Sequence, residues 1–247
     1  MVHFGSSGIR GVFGKEITPE LFVDIGRSVA SIYRRIILGR DVRTTGHALA
    51  SAFTSGALAS GASLHDGGVV STPTIAFAAG EYDCGAVITA SHNPPEYNGI
   101  KLWNPDGTAF DEEQQNEIEK NLETKSFNSC PWDEIPDFMR RHDLSRRHAE
   151  AIVGVIGKVG VKVVVDCACG ATSTITPYVL REMGCKVVSL NAQPDGHFPG
   201  RPPEPTEENL KILKRTVVNS GADLGIAHDG DGDRVVAVDD KGNYVGG

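Results

Sequence analysis

Residues 161–190 read VKVVVDCACGATSTITPYVLREMGCKVVSL. The apolar run at 161–166 has the length of a strand and ends on Asp166, and CACGATS is a tight loop of small residues. ITPYVLREMG follows as a helix closed by Gly184, and CKVVSL is a second strand. Strand, helix and strand joined by short connections form the repeating unit of α/β layer folds.

The same rhythm extends outward in both directions. Downstream, the loop NAQPDGHFPGRPPEP (191–205) leads to Thr206, a candidate N-cap for a helix with Leu210, Leu213 and Val217 on one face. Strand ADLGIAH, the loop DGDGD, strand RVVAV and a hairpin turn at DDKGN complete this half. Upstream, Thr18 caps a helix with Pro19 in its first turn and Leu21, Ile25, Val29 and Ile32 along one face. RIILGRD reads as a buried strand, ALASAFTSGALASG as a helix, ASLHD as a strand, STPT as the start of a short helix and CGAVITA as another strand. The loop SHNPPEYNG passes into KLWNPDG, DEEQQNEIEKNLE is a charged surface helix, TKSFNSCPWDEIPDF is irregular, and a helix at 144–156 crosses to the second half. Each half thus repeats a strand ending in aspartate, a helix, a strand, a second helix and a last strand with a loop at its end. Such strand-end loops are where α/β sheets bind ligands.

A chain of 247 residues can bury a sizeable core and form two domains. Its formal net charge of -8 argues against a nucleic-acid or anionic-membrane partner, since those are held by an excess of lysine and arginine. No apolar run reaches the roughly 18 residues that span a bilayer. Five cysteines (Cys84, Cys130, Cys167, Cys169, Cys185) and a start without an apolar signal segment point to a reducing cytoplasm.

In AHDGDGDR (227–234) three aspartates alternate with glycines and an arginine closes the loop. Carboxylates this close repel one another unless a cation neutralises them, and glycines let the backbone turn all three toward one point. An oxygen-only donor set suits Mg²⁺, which keeps positions for water or phosphate. A solvated Asp-Gly turn is the plainer alternative. An EF-hand is excluded, because its sixth and twelfth positions would be Arg234 and Asp240. A Mg²⁺-dependent phosphatase with an aspartate pair after a strand stays open, although Asp233 does not suit that pattern.

TASHNPPEYNGIK (89–101) places Ser91 just past a strand, in a loop stiffened by Pro94 and Pro95. Its hydroxyl either faces a ligand or belongs to a plain turn. Ser91 and His92 do not read as a protease pair, because neighbours in an extended segment point apart. GSSGIRG and CACGATS lack the glycine spacing of phosphate or dinucleotide loops, and Cys167 and Cys169 read as small packing residues. Taken singly, Arg10, Arg40, Arg43 and Lys101 read as solvated surface charges.

FGSSGIRG (4–11), GRDVRTTG (39–46), TASHNPPEYNGIK (89–101), PDGHFPGRPPEP (194–205) and DGDGDR (229–234) resemble, in this order, motifs of the α-D-phosphohexomutase family of phosphoglucomutases, phosphomannomutases and phosphoglucosamine mutases. The resemblance implies two three-layer α/β/α domains with mixed sheets, 1–150 carrying a phosphoserine loop and 151–247 a metal loop. It also implies an enzyme that interconverts the 1- and 6-phosphates of a hexose or hexosamine through a phosphoserine and a 1,6-bisphosphate. By the same resemblance Ser91 carries the phosphate, and Asp229, Asp231, Asp233 and that phosphate hold Mg²⁺. Lys101 and Arg10 assist proton transfer and charge stabilisation, His92 lines the loop, and Arg234 and Ser7 contact substrate phosphate. Crowded by Arg10, Arg234 and a dication, the Lys101 amine would lose its proton more easily and serve as base.

The wording of these motifs looks closest to the glucosamine-phosphate branch, with mannose and glucose phosphates as alternatives and a non-catalytic metal-binding module as the other reading. The family's third-domain GExSGH and fourth-domain RxSGTxP loops do not occur in these 247 residues. Domains III and IV are accordingly expected to be absent from this chain, which would carry the chemistry without the loops that choose the sugar.

Overall fold

The computed structural model describes residue 5 and residues 8–246. In the first half, β1 (Ile9–Val12), α1 (Pro19–Ile32), β2 (Arg35–Arg40), α2 (Gly46–Ala59), β3 (Ser63–Val69), α3 (Thr72–Ala78), β4 (Cys84–Ile88), β5 (Tyr97–Trp103), α4 (Glu112–Thr124) and β6 (Phe138–Arg140) follow in turn. Their sheet has the order β1-β5-β4-β2-β3-β6. Strand β2 runs parallel to β3 and β4, whereas β5 runs antiparallel to β4 and β1.

The second half contains α5 (Leu144–Ile156), β7 (Lys162–Asp166), α6 (Thr176–Glu182), β8 (Lys186–Leu190), α7 (Lys211–Ser220), β9 (Leu224–His228), β10 (Val235–Asp239) and β11 (Tyr244–Val245). Its sheet order is β11-β10-β9-β7-β8, with β7 parallel to β8 and β9, and β10 antiparallel to β9 and β11. Both sheets are mixed, and β2, β4 and β5 correspond in place to β7, β9 and β10.

Strand alternation sends successive side chains to opposite faces, so each sheet is covered on both. In the first domain Ile36, Leu38, Ala86 and Ile100 pack under α1, α2 and α4, while Ile37 and Val87 pack against Ile75 and Ala78 on the α3 side. In the second, Val164, Ala227 and Val238 meet Leu210, just before α7, and Leu213 and Val217 within it, and Val163 meets Ile175 and Val179 on the other face. Helix α5 serves both cores: Leu144 lies in the first domain's α3-side cluster, and Ala149, Ile152 and Val153 pack in the second.

The sequence expectations hold for most elements and fail at four points. KLW, read as the continuation of a loop, belongs to β5, because Ile100 and Leu102 reach the core while Lys101 points to the other face. Thr206 is followed by a 3₁₀ turn at Glu207–Leu210 before α7, and its side chain caps nothing. Strands β1 and β6, neither expected from the sequence, form the two edges of the first sheet. No helix among the described residues is long and apolar enough to cross a membrane.

Candidate active site

The serine loop leaves the end of β4. Ser91 is buried and has φ of 52°, a left-handed conformation that a non-glycine residue adopts at some cost in strain. Its N–H donates to Thr89 Oγ1 (2.8 Å), and that hydroxyl donates to Asp41 Oδ2 (2.7 Å). Arg43 holds the rest of the loop. Its Nε donates to Asp41 Oδ2 (3.0 Å), Nη1 to the carbonyls of Pro94 (2.5 Å) and Tyr97 (2.8 Å), and Nη2 to those of Ser91 (3.0 Å) and Asn93 (2.6 Å). All five N–H donors of the guanidinium are used. The expectation of a solvated charge is therefore wrong for Arg43, whose side chain is 0% exposed. Loop carbonyls buried at a sheet end need donors, and a planar fork supplies them.

The aspartate loop joins β9 to β10, between strands as its sequence suggested. Asp229 Oδ1 accepts the N–H groups of Gly232 (3.0 Å) and Arg234 (3.2 Å), so the loop wraps around one of its own carboxylates. Asp231 Oδ2 accepts from Thr72 Oγ1 (2.7 Å) and Lys101 Nζ (2.8 Å), and Asp233 Oδ2 accepts from the same Nζ (2.5 Å). Burial, reinforced by the charges of Asp231 and Asp233, pushes the Asp229 carboxyl up to about 8. Burial also opposes ionisation of Asp231, but the charge and hydrogen bond of Lys101 outweigh it and hold that carboxyl below the usual range.

This set fits a hard cation. One oxygen from each aspartate lies within 4.8 Å of the others, and Asp231 Oδ1 is buried without any hydrogen-bond partner. Oxygen-only donors of this charge suit a divalent ion of the Mg²⁺ or Ca²⁺ type.

The two loops meet where Ser91 Oγ donates to Asp229 Oδ2 at 2.5 Å, across 138 residues of sequence. His92 Nδ1 lies 3.4 Å from the same hydroxyl. The two side chains do not point apart, because the left-handed turn at Ser91 breaks the extended geometry on which that expectation rested. His92 Nε2 is 3.4 Å from Glu204 Oε2, and Arg234 Nη1 donates to Glu204 Oε1 (3.3 Å). Arg10 Nη1 donates to Asn93 Oδ1 (3.4 Å). Arg10, Lys101 and Arg234 line one cavity of about 130 Å³ with Trp103 and Phe110. Lys101 is neither solvated nor simply crowded by cations, since its ammonium bridges two carboxylates. Ser7 lies outside the described residues.

Sequence reasoning missed Asp41, Arg43, Thr72, Thr89 and Glu204, and a second buried pair in which Arg201 Nε donates to Asp166 Oδ2 (3.0 Å) and Nη2 to the His228 carbonyl (2.6 Å). A signal existed for the two acids. A buried aspartate at the end of a strand or just past it, as Asp166 in β7 and Asp41 after β2, requires a cationic or multiply hydrogen-bonded partner.

Residues 1–129 match the family model described as phosphoglucomutase/phosphomannomutase, alpha/beta/alpha domain I, and residues 146–242 match domain II. The "probable phosphoglucosamine mutase" of Methanosarcina barkeri is 55% identical over 244 residues, covering 99% of this chain and 56% of that protein. A protein of the same description from Methanocella arvoryzae is 54% identical over 247 residues, covering 100% of this chain and 56% of its own length. The crystal structure of a phosphoglucomutase/phosphomannomutase family protein from Burkholderia thailandensis superposes with a TM-score of 0.88 at 31% identity, covering 99% of this chain and 56% of that one. The chain thus spans little more than half the length of these relatives. Matched along both domains, it belongs to the phosphoglucomutase/phosphomannomutase family of phosphohexomutases.

Proposed function

We propose that this chain carries the phosphoryl-transfer machinery of a phosphohexomutase that interconverts the 1- and 6-phosphates of a hexosamine, with glucosamine phosphate as first substrate and mannose and glucose phosphates as alternatives. The observation that carries this is the meeting of the Ser91 hydroxyl with the Asp229 carboxylate. A buried serine hydroxyl set against three clustered carboxylates suits a phosphate carrier beside a cation site.

In this scheme Ser91 is phosphorylated. A sugar hydroxyl attacks the phosphorus, the bond from phosphorus to the Ser91 oxygen breaks, and that oxygen takes a proton. Lys101 Nζ, placed as an ammonium between Asp231 and Asp233, gives the Ser91 oxygen that proton and, then neutral, takes the proton lost by the sugar hydroxyl. The product is a bisphosphorylated sugar, which turns over and returns its other phosphate to Ser91. Arg10 and Arg234 supply positive charge to the phosphates, with Ser7 as a further phosphate contact, and His92 flanks the hydroxyl. Asp229, Asp231, Asp233 and a phosphate oxygen on Ser91 would hold Mg²⁺, which when bound offsets phosphate charge and stabilises charge that moves during transfer. We place the division between domains near residue 150, within α5, and the protein in a reducing cytoplasm, in keeping with five cysteines that are all free thiols.

Incubation with Mg²⁺ and glucose 1,6-bisphosphate, followed by phosphopeptide mapping, tests the scheme. The expected result is phosphate on Ser91, absent in Ser91→Ala and formed at least about 100-fold more slowly in Asp231→Asn. Phosphate on Asp229, or on no residue of the wild-type chain, would reject it.

A further inference from the structure

The segment PDGHFPGRPPEP is not accounted for by the chemistry above, yet it runs between the two loops. It is tied to the second domain at both ends, by Asp195 N–H donating to the Cys169 carbonyl (2.9 Å) and by the Arg201–Asp166 pair. Between these ties it presses on the first domain. A Cβ on Gly196 would lie 2.4 Å from the Val42 carbonyl oxygen and 2.9 Å from Arg43 Cα, so only glycine allows this approach.

Two residues later Phe198 adopts a φ of 51° and buries all but 5% of its surface. Its ring centroid lies 5.3 Å from the Arg43 guanidinium carbon, the group that holds the Ser91 carbonyl. The rim of the ring, at Cε1 and Cζ, lies toward Gly230 of the aspartate loop. A Cβ on Gly230 would sit 3.3 Å from Phe198 Cε1 and 2.6 Å from the Ser91 carbonyl oxygen. One ring therefore touches the clamp of the serine loop and the backbone of the aspartate loop at the point where the loops are closest.

We infer that Phe198 is a positioning residue whose ring, packed between Arg43 and Gly230, sets the spacing of the Ser91 hydroxyl from the Asp229, Asp231 and Asp233 carboxylates. Each loop is shaped by its own bonds, through Arg43 in one and Asp229 Oδ1 in the other. Neither set of bonds crosses between the loops; the crossings from Ser91, Thr72 and Lys101 are contacts of the reacting groups themselves, and the ring adds an apolar spacer beside them. An aromatic ring is suited to this, being rigid, large and attracted to a guanidinium over its face. The consequence for catalysis rests on the reading of Ser91 as phosphate carrier, whereas the spacing itself does not.

The 247-residue chain is compared with Phe198→Ala and Phe198→Leu by amide hydrogen exchange and by the rate of Ser91 phosphorylation from glucose 1,6-bisphosphate. In Phe198→Ala, amides of 89–98 and 228–234 should exchange about tenfold faster while those of β7 and α7 stay protected. The maximal phosphorylation rate should fall about 100-fold with the half-saturating bisphosphate concentration unchanged, since a misplacement near 1 Å costs that much. Phe198→Leu should recover most of both. Unchanged exchange in the two loops, or faster exchange spread evenly through β7 and α7, would overturn the inference. If the wild-type chain takes no phosphate, the proposed activity falls, and the exchange data alone decide the role of Phe198.

Discussion

The serine loop and the aspartate loop occupy matching places at the ends of β4 and β9, and each domain sets a buried arginine on a strand-end aspartate, Arg43 on Asp41 and Arg201 on Asp166, both at 3.0 Å. Their uses differ. Arg43 lies two residues from its aspartate and gives four hydrogen bonds to carbonyls of the serine loop. Arg201 arrives from a loop 35 residues after Asp166 and gives the last residue of β9 one bond, at His228, with others going to Pro202 and Pro203 beside it. The aspartate loop needs less from its clamp because Asp229 already caps two of its N–H groups. A loop that offers one hydroxyl must be held from outside, whereas a loop of carboxylates brings its own acceptors.

That contrast can be broken by substitution. Arg43→Ala should destabilise the protein by about 3–5 kcal/mol, because buried Asp41 and four carbonyls lose their donor. Arg201→Ala should cost less, about 2–3 kcal/mol. Urea unfolding measures both, and an equal or larger loss at Arg201 would remove the asymmetry.

A pH series sharpens the aspartate side. Metal ligands must be deprotonated, and the Asp229 carboxyl is pushed up to about 8 by burial and by its two neighbours. Below that pH a cation must displace the proton, so Mg²⁺ affinity measured by calorimetry should rise by up to about tenfold per pH unit and level off above it. Without metal the sign for stability is the reverse. The fold favours protonated Asp229, so its contribution is full below the unfolded value of 3.8 and is lost as pH rises through about 8. Ser91→Ala should keep the slope, because burial and carboxylate repulsion set the shift; a slope lost in that variant would assign the effect to the serine loop.

The smallest effect is expected where the loops meet through Glu204. Its contacts to His92 and Arg234 are partly exposed, so Glu204→Gln should change stability by no more than about 0.5 kcal/mol in thermal unfolding. A loss above about 1 kcal/mol would make Glu204 a direct coupler of the two loops.

The legible parts of the fold are those with local causes. Helix α1 begins where Thr18 Oγ1 accepts the Leu21 N–H, as the Thr-Pro start implied, and Leu210, Leu213 and Val217 form the buried stripe that their spacing required. Strand β5 was hidden because prolines and an Asn-Gly pair precede its apolar residues, and its lysine interrupts them. Arg43 was misread for a different reason. The carbonyls it binds come from residues 48 to 54 positions later, so only Asp41, two residues before it, hints nearby in sequence that it is buried.

By itself the sequence determined the two α/β rhythms, the alternating aspartates and the serine at a strand end, because strand period, capping and charge repulsion act between near neighbours. Only the tertiary structure decided that Ser91 meets Asp229, that Lys101 bridges Asp231 and Asp233, and that Phe198 lies between the loops. Those contacts join the two domains. Their distances depend on how two separately packed cores are set against each other, which no local pattern of residues records.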